Sequence, residues 1–317
     1  MSTLVVIGQK NSSLARSVAQ HYDTDIIVFE LGQFADEEVF FSLADQYVFA
    51  SAHILLIYQF CWKNKKQDQC FGTINDQISG LLEVIDCIKS LGAHKVSVVF
   101  TYLPYSRQDK SNYLQYKGGV YTLGKCLSAV GVNQVLSCDL HNPAIVKSFP
   151  VTLVNISLAN FWSKTIQENI LSGNDNDFCI ATPDLGGADR AQKVADSLGL
   201  SLVVINKKRI DIDQACAQSV GGNVSGKHVI IIDDIIDTGR TAASAAQLLM
   251  SNGAIKVYGC FSHGIFSLGA QELLKKSGIE KVFITDTLAL SENHCNNFCQ
   301  MFSISQFITQ QMGTLLS

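Results

Sequence analysis

Short apolar runs alternate with stretches of helical spacing along the whole chain. The runs are LVVIG (4–8), HILLIY (53–58), KVSVVF (95–100), QVLSCDL (134–140), FCIAT (178–182), LVVI (202–205), HVIII (228–232), KVYGCF (256–261) and KVFIT (281–285). Most are apolar at every position rather than at alternate ones, which predicts strands buried on both faces. Between them, segments such as DQISGLLEVIDCIKSLG (76–92) and DRAQKVADSLG (189–199) carry apolar residues at helical intervals. Strands of this kind, alternating with helices, predict parallel sheets covered on both sides, so the class is α/β.

A smaller pattern recurs. LGAHKVSVVF (91–100), VGVNQVLSCDLH (130–141) and NGAIKVYGCFSH (252–263) each place a glycine at a helix end, then a short turn, then a strand. Gly131, Val135, Cys138 and His141 match Gly253, Val257, Cys260 and His263 at identical spacing. The glycine suits the left-handed position that closes a helix. Any helix–turn–strand unit shares this form, so a duplication and a generic repeat of supersecondary structure both stay open. Two similar halves divide near SFPVTLVNIS (148–157), giving expected domains at 1–150 and 151–317.

Composition narrows the function classes. Of 317 residues, 47% are hydrophobic and 16% charged, enough for large cores and too apolar for a disordered chain. A net charge of −4 argues against a general nucleic-acid binder. No run is long enough to span a membrane, and MSTLVVIGQKNSSLA lacks the pattern of a signal peptide, so a cytoplasmic protein is expected. The ten cysteines are scattered without a CxxC pair, and a zinc cluster at His294, Cys295 and Cys299 lacks the usual ligand spacing. Reduced cysteines that pack like small hydrophobes are expected.

The chemistry concentrates in HVIIIDDIIDTGRTAASAAQLL (228–249). An apolar strand runs into Asp233 and Asp234, and the loop Asp237, Thr238, Gly239, Arg240, Thr241 leads into an alanine-rich helix. In parallel α/β sheets, ligands bind at the carboxyl ends of strands. An acidic pair there suits a magnesium site, a phospho-acceptor pocket or hydroxyl recognition. The loop of small and hydroxylated residues at a helix start favours a phosphate, held by backbone N–H groups, with a polyhydroxyl ring beside the carboxylates.

This stretch resembles the phosphoribosyl-diphosphate (PRPP) binding motif of the type I phosphoribosyltransferase fold. Other motifs resemble, in order, those of the ribose-phosphate diphosphokinase family: FADEEV (34–39), NDQISGLLEVIDCIK (75–89), PYSRQDK (104–110), CDLHNPAIVKSF (138–149), TPDLGGADRA (182–191), INKKRI (205–210) and SHGIFS (262–267). The resemblance implies two type I phosphoribosyltransferase-like domains, each a mainly parallel sheet flanked by helices. The N-terminal domain would carry the nucleotide site and the C-terminal domain the ribose-phosphate site. It also implies transfer of the β,γ-diphosphoryl group of ATP to the C1 hydroxyl of ribose 5-phosphate, giving PRPP and AMP.

Roles follow from the same resemblance. Lys207 and Arg209 match the family's catalytic pair, and Arg209 also contacts the ribose phosphate. Phe34, Asp36, Glu37, Glu38, Arg107, Gln108 and Asp109 match the nucleotide site, although FADEEVFF on its own also suits the exposed start of a helix. His141 and Asp184 match magnesium-associated residues. Asp233 and Asp234 would hold the ribose hydroxyls, and Asp237, Thr238, Gly239, Arg240 and Thr241 the 5-phosphate. Mg2+ is the implied cofactor, inorganic phosphate an implied activator, and a homo-oligomer sharing its nucleotide site between subunits the implied assembly.

Three departures mark this chain. SNYLQYKGGVYTLGK replaces the basic stretch after RQDK, QFCWKNKKQDQCFGTIND replaces a shorter polar run, and Arg240 stands where synthetases often have glycine. They leave open a non-catalytic paralogue, a phosphoribosyltransferase, and a synthetase of altered specificity.

Overall fold

The computed structural model describes residues 3–10, 12–43, 47–61, 71–109, 118–171, 177–208, 217–267, 269–289 and 296–315. The chain forms two compact units. The first is Met1–Ile156 with Thr287–Leu290 and Ser303–Ser317, and the second is Ser157–Asp286 with Ser291–Phe302.

In the first unit the elements run β1 (Leu4–Gln9), α1 (Ser13–His21), β2 (Ile26–Gln33), β3 (Val39–Leu43), β4 (His53–Tyr58), α2 (Ile74–Ser90), β5 (Lys95–Phe100), α3 (Gly119–Ala129), β6 (Gln134–Cys138) and β7 (Thr152–Ile156). The sheet order is β3-β2-β1-β4-β5-β6-β7, parallel throughout except for the β2–β3 hairpin. The central β4 is buried from Ile54 to Tyr58, because helices cover both faces of a parallel sheet. Helix α2 shows how it is covered: Ile78, Leu81, Val84, Ile85 and Ile88 form one buried stripe. Thr73 and Asp76 start that helix with a reciprocal capping box.

The second unit contains α4 (Ala159–Asn169), β8 (Phe178–Thr182), α5 (Ala188–Leu198), β9 (Ser201–Lys208), β10 (Ala217–Gly221), β11 (His228–Ile236), α6 (Arg240–Ser251), β12 (Lys256–Gly264), α7 (Ala270–Lys276), β13 (Ile279–Thr285) and β14 (Cys299–Phe302). A last helix, α8 (Ser305–Leu315), belongs to the first unit. The second sheet has the order β10-β9-β8-β11-β12-β13-β14, again parallel except for one hairpin, β9–β10. The two orders are the same, strand for strand. Among the described residues, no helix is long and apolar enough to cross a membrane, and no cysteine forms a disulfide.

All nine apolar runs are strands. The predicted class, two mainly parallel sheets flanked by helices, is the observed one. Five strands went unread: β2, β3, β7, β10 and β14. The glycines proposed to close helices, Gly92, Gly131 and Gly253, all have positive φ, near 90°. The identical spacing of 131–141 and 253–263, however, relates strands that are not equivalent. Residues 252–261 lead into β12, whose counterpart by sheet order is β5, while 130–138 lead into β6, whose counterpart is β13. The match therefore does not follow the equivalence of the two sheets, although both glycines take the same left-handed conformation.

Candidate active site

In the second unit, β11 does not end at Ile232 as the apolar pattern predicted. It runs to Ile236, pairing with β12 as far as Ile236↔Gly264 and with β8 only to Ile231↔Ala181. Ladder hydrogen bonds come from the backbone, so two aspartates do not interrupt them while a neighbour strand continues. Asp233 and Asp234 therefore lie beside a step in the sheet, where one neighbour has ended. Asp234 is 4% exposed, and its N–H donates to Asp233 Oδ1 at 2.9 Å. Burial pushes the Asp233 carboxyl well above the usual carboxylate range. The Asp234 charge pushes the same way, and the Arg190 guanidinium pulls back.

The loop behind this pair is short. Residues 237–239 connect β11 to α6, and Gly239 enters the helix at φ 75°. Helix α6 is fixed to the sheet by Ala242, Ala243, Ala245, Ala246 and Leu249, so its amino terminus faces the strand end. The first N–H groups of a helix lack internal partners and carry the positive end of its dipole, the ordinary arrangement for holding a phosphate. Thr238 is half-buried, while Arg240 and Thr241 are exposed at the helix start. The segment after β12 braces the loop. The Ile265 N–H donates to the Ile236 carbonyl at 2.8 Å, the Ser267 N–H to the Asp237 carbonyl at 3.1 Å, and the Ser267 hydroxyl to Asp237 Oδ1. That gives the SHGIFS motif a physical role, which its sequence did not reveal.

Asp184 follows β8. Its Oδ1 accepts from the N–H groups of Gly186 at 3.0 Å and Gly187 at 3.3 Å, capping a single 3-10 turn, Leu185–Gly187. Gly187 allows close approach: a Cβ there would lie 2.5 Å from Thr182 Oγ1 and 3.6 Å from Asp233 Oδ1. Lys207 lies on β9, paired with Gln218 of β10, whereas Arg209 falls outside the described residues. Part of the sequence after Arg209, Ala217–Gly221, is thus a strand.

Phe34, Asp36, Glu37 and Glu38 form the tip of the β2–β3 hairpin, not a helix start. The Phe34 N–H donates to the Glu38 carbonyl at 2.8 Å, and Glu37 takes φ 71° to close the turn. Phe34 is 58% exposed and packs on Phe40 with ring centroids 4.7 Å apart. Arg107, Gln108 and Asp109 follow β5, with Arg107 and Gln108 exposed. The Gln108 N–H donates to the Tyr105 carbonyl at 2.7 Å, and the Asn142 amide donates to Asp109 Oδ2 at 2.6 Å. That bond ties the RQD turn to the residue after His141, itself exposed beyond β6. Gly118, at φ 110°, lets the chain pass against Gln108, since a Cβ would meet the Gln108 carbonyl oxygen at 1.9 Å. Glycines at 118–119 therefore have a use in a segment that departs from the family pattern.

His141 and Asp184 belong to different units, and among the described residues no three His, Cys, Asp or Glu side chains cluster as a metal-binding group. Sequence reading passed over one charged residue entirely. Arg190, 9% exposed in the first turn of α5, places Nη1 3.6 Å from Asp234 Oδ1 and 3.9 Å from Asp233 Oδ1.

Comparison with known proteins bears on both units. Residues 3–117 match the N-terminal domain of ribose phosphate pyrophosphokinase, and residues 213–314 match a phosphoribosyl synthetase-associated domain. The chain is 30% identical to a ribose-phosphate pyrophosphokinase of Caldanaerobacter subterraneus subsp. tengcongensis, over 92% of this chain and 87% of that one. It is 29% identical to one of Aquifex aeolicus, covering 99% and 97%. A crystal structure of phosphoribosylpyrophosphate synthetase from Mycobacterium smegmatis superposes with a TM-score of 0.83 at 26% identity, covering 99% of both chains. With the acidic pair, the helix-start loop and the doubled sheet order in place, the chain belongs to the ribose-phosphate pyrophosphokinase family.

Proposed function

We propose that the chain transfers the diphosphoryl group of ATP to the C1 hydroxyl of ribose 5-phosphate. The C1 oxygen bonds to the β-phosphorus, the bond from the β-phosphorus to the oxygen bridging to the α-phosphorus breaks, and AMP leaves with that oxygen. The C1 hydroxyl proton is released. The observation that carries the reading is the second unit's corner. Asp233 and Asp234 offer acceptors to two ring hydroxyls, while residues 237–241 present a helix start to the 5-phosphate. A simple PRPP-consuming enzyme would need this corner too. The RQD turn and the hairpin tip of the first unit support a nucleotide as second substrate.

Phe34 would stack on adenine, with Asp36, Glu37, Glu38, Arg107, Gln108 and Asp109 around the nucleotide. Lys207 and Arg209 would oppose charge that builds on phosphoryl oxygens in the transition state. A divalent cation, magnesium in this reading, would neutralise phosphate charge when bound. Asp184 fits it: its turn uses only Oδ1, and magnesium takes most of its ligands from water and substrate phosphate. His141 is the second candidate ligand. An exposed Phe34 ring on a hairpin tip supports a nucleotide site completed by another copy of the chain, and inorganic phosphate is the activator to test. The described cysteines are free thiols, which suits the cytoplasm.

Purified protein incubated with ribose 5-phosphate, Mg-ATP and inorganic phosphate should form AMP and PRPP in equal amounts. Lys207→Ala should abolish turnover with ATP binding little changed. A folded wild-type protein that forms no AMP would sink the proposal and leave a non-catalytic paralogue or an enzyme of other specificity.

A further inference from the structure

Resting on this reading of the second unit, we infer that Arg190 is a positioning residue for the acceptor sugar: it holds the side chains of Asp233 and Asp234 side by side, so that their remaining oxygens face the ribose hydroxyls.

The argument starts from where the arginine sits. It is the third residue of α5, and a cation near a helix amino terminus opposes the helix dipole. It is also 9% exposed, so its charge is largely removed from water. Both terms are unfavourable, and both are offset by the same partners. Nη1 lies within ion-pair distance of one oxygen on each aspartate, at 3.6 and 3.9 Å. The aspartates need it in turn. Adjacent buried carboxylates repel, and their side chains are only 18% and 6% exposed. The guanidinium opposes the push that burial and the Asp234 charge exert on the Asp233 carboxyl, and without it that push meets no nearby cation among the described residues. A protonated carboxyl is a donor, and it competes with the role of accepting from two sugar hydroxyls.

The surroundings fix the geometry. Asp184 caps the turn that leads into α5, and glycine at 187 lets that turn pass close to Asp233, so the arginine is delivered from directly behind the pair. Arg190 touches no substrate in this account, and it acts through the two carboxylates.

The test is calorimetric binding of ribose 5-phosphate and, separately, of Mg-ATP, together with a thermal melt to establish folding. Arg190→Met should weaken ribose 5-phosphate binding by about tenfold or more, as expected for loss of a charge-assisted partner, with Mg-ATP binding changed less than about twofold. Arg190→Lys should recover part of the loss, since it restores the charge without the fork. If the methionine variant does not fold, the lysine variant decides alone: several-fold weaker sugar-phosphate binding with unchanged Mg-ATP binding supports the role. Sugar-phosphate binding equal to wild type in a folded variant overturns it, and so does an equal loss for both ligands. A wild-type protein that binds no ribose 5-phosphate overturns the functional reading as well, which separates the two failures.

Discussion

The two units are built on one plan and differ at one corner. His53 of β4 pairs with Lys95 of β5, and His228 of β11 pairs with Lys256 of β12, which sets the two central strands in register. Five residues on, the first unit has Tyr58 opposite Phe100, and the second has Asp233 opposite Phe261. Tyr58 is fully buried against Phe29 and Phe60, and its hydroxyl donates to the Gln77 carbonyl. The next residue is Gln59 in one unit and Asp234 in the other. Beyond these, the first unit places residues 59–73 between strand and helix, and the second only 237–239. The same sheet thus supports an aromatic plug or a carboxylate pair. What sets the two corners apart is two side chains and the length of the loop behind them.

That comparison can be broken most directly in the second unit. Asp234→Asn, nearly isosteric, should cost at least about a hundredfold in kcat/KM for ribose 5-phosphate, because a charged acceptor is lost and Arg190 loses a partner. Steady-state rates across ribose 5-phosphate concentrations measure it, and a change below threefold would show that the corner does not read the sugar. A smaller effect is expected at the loop. Arg240→Gly should raise KM for ribose 5-phosphate roughly three- to tenfold with the ATP constant little changed, since the contact proposed between this exposed arginine and the 5-phosphate is charge-assisted. The smallest belongs to the first unit. Tyr58→Phe should cost about 1 kcal/mol of stability or less in denaturant titration, through one long hydrogen bond, and leave both Michaelis constants within about twofold. If it altered the sugar-phosphate constant, the plug would not be merely structural.

Much of this was legible in the chain itself, for identifiable reasons. Strands buried on both faces announce themselves as unbroken apolar runs, and the loop after Asp237 announces a helix start. Edge strands do not. In β3 the residues alternate between half-buried and exposed, and the hairpin tip at Phe34–Glu38 carries the acids that also favour a helix start. Its true form depends on β2, which supplies the partner strand. The continuation of β11 through two aspartates was equally hidden, because only the pairing with β12 sustains it. Arg190, within TPDLGGADRA, is hidden in the same way: in the first turn of a helix, an arginine reads as a solvated charge until the fold sets Asp234 beside it.

The brevity of the 237–239 connection has a consequence for motion. Its ends are a strand inside the sheet and a helix whose inner face is sealed by alanines, so the cradle cannot open without separating α6 from the core. The Ile265 and Ser267 amides that brace the loop should therefore be protected from exchange, while the unpartnered N–H groups at the start of α6 exchange quickly. On the proposed function, sugar phosphate would meet a receptor already close to its bound form, and little of its binding energy would be diverted to ordering the chain.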